Sequence, residues 1–128
     1  MSRLSPGEVA VLATLYIVEK GTAGKIAEEA GMNVQTVRNI LLKLREKGLV
    51  KPLGGMGYKL LTDTVIASID VEKRGKEKVY VLAKEFDEIF NEHREDFEKW
   101  ARTLGVDPKK LRQIIEDRKR KRKEQQGV

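Results

Sequence analysis

The sequence contains no cysteine, which excludes disulfides, thiolate metal sites, thiol redox switches and cysteine nucleophiles at once. Long apolar runs are missing too. No stretch approaches the roughly 20 apolar residues of a membrane span, and the N-terminus lacks the basic start and unbroken apolar core of a signal peptide. No internal repeat is present. The catalytic inventory is equally thin: Gly54-Gly55-Met56-Gly57 has no following Gly-Lys-Ser/Thr of a phosphate loop, no paired carboxylates accompany it, and the single histidine, His93, has no nucleophile or second metal ligand at a suitable spacing. These absences point to a soluble, cytoplasmic, non-enzymatic protein for which no metal and no cofactor is expected.

What is present is charge. Of 128 residues, 40% are hydrophobic and 36% charged, with a net charge of +6. That suits one compact domain with a helical appendage and a modest core, and it makes polyanions the first partners to consider. The charge is segregated: residues 1–82 carry 13 basic and 9 acidic side chains, 83–105 carry 4 and 7, and 106–128 carry 9 and 4. The chain therefore reads as a basic domain, an acidic helix and a basic tail, the tail containing the six-residue basic run Arg118–Lys123. Abundant Glu, Lys and Arg beside few Asn and Gln is a bias reported for hyperthermophile proteins.

The local signals give an order of elements. Ser5-Pro6-Gly7-Glu8 has the form of a capping box, opening a helix that should run to about Lys20 and stop at Gly21. Its apolar residues fall on nearly every face, so it must be covered on more than one side. A second helix fits Ala23 to Ala30, capped by Thr22 and ended by Gly31. The third begins after Asn33 as N-cap and reaches about Lys47, with Val34, Val37, Ile40, Leu41 and Leu44 inward. Leu49 to Leu53 suits a short edge strand ending near Pro52. Alternation over Val65–Val71 and Val79–Leu82 predicts a β-hairpin with its turn at Arg74-Gly75. A long helix over 84–104 carries an aromatic-rich stripe, Phe86, Phe90, His93, Phe97, Trp100 and Leu104, and a short helix after Asp107-Pro108 leads into the basic tail.

This order, together with Asn33-Val34-Gln35-Thr36-Val37-Arg38-Asn39 and the exit Leu44-Arg45-Glu46-Lys47-Gly48-Leu49-Val50, resembles the winged helix-turn-helix family of small prokaryotic and archaeal transcriptional regulators, of MarR-like, TrmB-like and ArsR-like breadth. The stretch 51–64 is longer than such regulators usually have between third helix and wing. The resemblance implies an α+β, mostly α fold: a winged helix-turn-helix domain over 1–83 with a β-hairpin wing, then a C-terminal helical extension made of a helix over 84–105 and a short helix with basic tail over 106–128. It implies binding of double-stranded DNA, with the third helix in the major groove, and a nucleoid-associated location.

The residues that would carry this are specific. On the third helix they are Asn33, Gln35, Thr36, Arg38, Asn39 and Lys43: amides and guanidinium suit base edges, hydroxyl and ammonium suit phosphates. On the wing they are Lys73, Arg74, Lys76 and Lys78, placed to reach backbone or an adjacent minor groove. Leu42 faces outward in this arrangement without an evident role. Phe86, Phe90, Phe97, Trp100 and Leu104 are expected to hold a homodimer by covering the first helix of a partner. The alternatives are a nonspecific chromatin-coating or plasmid-partition protein, and a winged helix used for protein contacts.

Overall fold

The computed structural model describes residues 3–53 and 78–126. Helix α1 (Pro6–Val18) opens with the capping box in place: the Glu8 amide donates to Ser5 Oγ at 3.2 Å and the Ser5 amide to Glu8 Oε1 at 2.8 Å. It stops two residues short of Lys20, because Glu19 takes φ +71° and turns the chain out of the helix. A non-glycine residue in such a conformation costs roughly 1–3 kcal/mol. Immediately after it, Gly21–Thr22 forms strand β1 and pairs with a distant strand, the long-range gain that offsets the strain.

Thr22 caps α2 (Ala23–Ala30), its hydroxyl accepting the Lys25 amide at 3.2 Å, and Gly31 leaves the helix at φ +67°. Only a residue without Cβ adopts that conformation at no steric cost. Asn33 then caps α3 (Val34–Glu46), Oδ1 accepting the Gln35 amide at 2.8 Å and the Thr36 amide at 3.2 Å. Strand β2 (Val50–Pro52) and strand β3 (Val79–Leu82) follow. Among the described residues the sheet is antiparallel with order β1-β3-β2, so Pro52 lies on an edge strand, where its missing N–H is harmless. Val79–Leu82 is thus the central strand, paired with Gly21–Thr22 on one side and Val50–Pro52 on the other; the expected strand at 65–71 and turn at 74–75 lie outside the described residues.

Helix α1 forms the centre. Val9, Val11, Leu12, Ala13 and Leu15 are all buried, as a helix apolar on every side requires. The cover comes from the chain itself. The expected single helix over 84–104 is two helices, α4 (Phe86–Glu92) and α5 (Arg94–Thr103), broken at His93 with φ −116° and ψ 32°. In a straight helix residues eleven apart are separated by about 16 Å along the axis. Here the Phe86 and Phe97 ring centroids lie 5.7 Å apart, with Phe90 4.8 Å from Phe97, which only the bend permits. The aromatic cluster closes on α1 through Tyr16, stacked on Phe86 at 4.2 Å. After a 3-10 turn (Pro108–Lys110) capped by Asp107, α6 (Leu111–Gln126) lies along α1 with Leu111 and Ile115 buried. Among the described residues no helix is long and apolar enough to cross a membrane.

Candidate nucleic-acid interface

The inner stripe of α3 fixes which of its residues can meet a partner. Val37, Ile40, Leu41 and Leu44 are buried against α1 and α2, and Val34 is half-buried. At 3.6 residues per turn the opposite face has Gln35, Asn39, Leu42 and Glu46 along its middle, Arg38 and Arg45 along one flank, and Thr36 and Lys43 along the other. All eight are exposed. Arg45 was not among the residues expected from sequence; its spacing of seven from Arg38 was the available signal.

Side-chain bonds link part of this face. Arg38 donates to Gln35 Oε1 at 3.4 Å, and Gln35 Nε2 donates to Asn39 Oδ1 at 3.3 Å. Long, exposed bonds of this kind exchange readily for other partners. Asn33 differs, since its side-chain oxygen is engaged by two helix amides. It orients the start of α3, and only its amide nitrogen is left for an outside partner. The far end of α3 is pinned as well. Lys47 Nζ lies 2.8 Å from Glu8 Oε2 and donates to the Arg3 carbonyl at 3.0 Å. Burial alone would raise the Glu8 carboxyl, but Lys47 and Ser5 together hold it below the ordinary carboxylate value.

The cations of α3 and of α6 differ in what they touch. Among the described residues Arg38, Lys43 and Arg45 have no carboxylate within salt-bridge distance, whereas most of the Arg118–Lys123 run is engaged internally. Arg122 meets Glu29 of α2 at 2.7 Å, Lys123 meets Glu19 at 3.4 Å, Arg120 meets Asp117 at 3.2 Å, and Lys119 lies 3.8 Å over the Tyr16 ring. The basic run is therefore an ordered, largely paired surface of α6 rather than a free tail; Arg118 and Lys121 are its exposed members without a partner among the described residues.

Arg112 anchors the start of α6. It bonds Asp87 of α4 and Glu116 at 2.7 Å, with its guanidinium 4.9 Å from the Phe86 centroid. The Tyr16 hydroxyl donates to Glu116 Oε2 at 2.6 Å. That hydroxyl, followed by Arg112, keeps the Glu116 carboxyl below its ordinary value against the effect of burial, while burial and Glu116 push the Tyr16 phenol up. Burial opposes the Arg112 charge, but Asp87, Glu116 and Tyr16 outweigh it and hold its pKa above the ordinary value.

Of the residues expected on a wing, Lys78 is exposed at the entry to β3, and Lys73, Arg74 and Lys76 lie outside the described residues. Lys51 on β2, opposite Val81, is also exposed, a cation not among the residues expected from sequence. Of the residues expected at a dimer interface, Phe86, Phe90 and Phe97 are buried within the chain, Trp100 is half-buried and Leu104 is exposed. The physical reason is the break at His93, which folds the stripe onto its own α1. His93 itself is packed at the break, Nδ1 3.8 Å from Asp96 Oδ2. Compared with known proteins, the chain matches no family model, no curated protein and no solved structure.

Proposed function

We propose that the protein binds duplex DNA in a sequence-specific way as a transcriptional regulator, with α2 and α3 acting as the helix-turn-helix of a winged helix. In this reading α3 enters the major groove, and β2 and β3 form the base of a wing from which the exposed Lys78 reaches the backbone. The observation that carries it is the exposed face of α3. Two amides, Gln35 and Asn39, lie along its middle with Leu42 and Glu46, cations without carboxylate partners among the described residues line both flanks, and the helix is anchored from behind by its buried stripe. A helix about 10–12 Å across fits a major groove about 12 Å wide. There Gln35 and Asn39 have the geometry to bond adenine, Arg38 to bond guanine, and Lys43, Arg45 and Thr36 to meet phosphates of the groove walls.

Nonspecific coating of DNA is the weaker reading, because half of the cations of the Arg118–Lys123 run, Arg120, Arg122 and Lys123, already pair with carboxylates within the chain. Binding also does not call on Phe86, Phe90 and Phe97 as a dimer seam. The test is selection of bound sites from random duplexes, followed by titration at two salt concentrations. A defined motif supports the regulator; uniform binding with a steep salt slope supports coating, and no binding removes both.

A further inference from the structure

Leu42 is out of place on a solvated helix. Among the described residues the exposed large hydrophobics are Leu42, Leu53 and Leu104, with Leu42 at 54% exposure. Its position is central: it projects from the middle of the α3 face beside Gln35 and Asn39, with Arg38 and Arg45 on one side and Lys43 on the other. Packing among the described residues does not account for it. The inner stripe is already complete with Val37, Ile40, Leu41 and Leu44.

We infer that Leu42 is a base-reading residue that packs on the C5-methyl group of a thymine, so that the DNA site carries a thymine within about two base pairs of the adenine that Asn39 reads. The inference rests on the proposed function and names a part of the site it recognises. In the major groove the thymine methyl is the one apolar feature among the edges of the four bases, and it selects apolar side chains. Leu42 is three residues beyond Asn39, about 4.5 Å along the helix axis, which is close to the roughly 3.4 Å spacing of bases along a strand. The flanking cations Arg38, Arg45 and Lys43 favour this partner over a protein surface, because they suit anionic walls on both sides of the face, which the two phosphate backbones of a groove supply, with Glu46 at the far end of the face, one turn beyond Leu42.

The test uses the full-length protein and its best selected duplex, with each thymine replaced in turn by deoxyuridine, which removes the methyl and leaves every hydrogen-bonding group. Wild type should lose affinity about fourfold at one position, the value of one buried methyl group. Leu42→Ala should bind the thymine and uracil duplexes alike, while Leu42→Met keeps the discrimination; both substitutions are at an exposed site, and an unchanged helical circular dichroism spectrum verifies the fold. A selected motif in which no thymine is methyl-sensitive, or in which Leu42→Ala remains equally sensitive, overturns the role of Leu42 and leaves DNA recognition standing. Absence of any selected motif overturns both.

Discussion

Glu8 of α1 and Lys47 at the end of α3 form an ion pair at 2.8 Å, with the Glu8 side chain only 5% exposed. The same carboxylate accepts the Ser5 amide at 2.8 Å, so one side chain both caps the central helix and fixes the end of the helix proposed to read DNA. Replacing Glu8 by Gln keeps the volume and removes the charge. The expected loss is about 2 kcal/mol, in the range of a hydrogen bond to a charged group. Urea unfolding of both proteins at neutral pH measures it, and a difference near zero would mean that the pair only compensates its own desolvation.

Acid should erase that difference. The Glu8 carboxyl is held below 4.5 in the folded protein, by Lys47 and Ser5 acting against burial. Its stabilisation is therefore present above the unfolded-state value and lost as pH falls through the lower folded value. Glu116, held down by Tyr16 and Arg112, acts in the same direction. Wild type should lose stability below about pH 4.5 faster than Glu8→Gln. Parallel stability curves for the two proteins between pH 7 and pH 3 would contradict this.

The aromatic cluster gives a prediction about assembly. Phe97 is fully buried and contacts Phe86 and Phe90 within one chain. Phe97→Ala should cost about 3–5 kcal/mol, and the cost should be independent of protein concentration. If the unfolding midpoint of wild type rises with concentration and that of the variant does not, the cluster takes part in association as well as in the core.

The contrast between cations with and without a carboxylate partner among the described residues should be visible in salt dependence. Neutralising Lys43 or Arg45 should reduce the slope of log affinity against log salt by about one each. Arg122→Gln should leave the slope nearly unchanged, since Arg122 already holds Glu29. Equal reductions at α3 and α6 would place DNA on both.

Local chemistry made much of this architecture legible. The capping box at Ser5 and Glu8, the caps at Thr22 and Asn33 and the glycine at 31 are signals read within four residues, and they bound α1 at its start, α2 and α3 closely. The buried stripe of α3 follows from a period of 3.6, and so does its exposed face. Decisions made by distant contacts were not legible. The early stop of α1 depends on β1 finding β3, and the break at His93 is rewarded only when three phenylalanines and Tyr16 come together. Sequence periodicity runs through His93 without interruption, so the stripe reads as one helix in need of a partner. The pairing of the basic run likewise needs α6 laid on α1, which brings Arg122 to Glu29 from 93 residues away.

The most direct measurement of the central claim is the ratio of affinities for a selected site and a random duplex at one salt concentration, for wild type and Arg38→Ala. If α3 reads bases, the variant should lose about 1–3 kcal/mol on the selected site and much less on random DNA. Equal losses on both duplexes, or a wild-type ratio near one, would contradict sequence reading by α3.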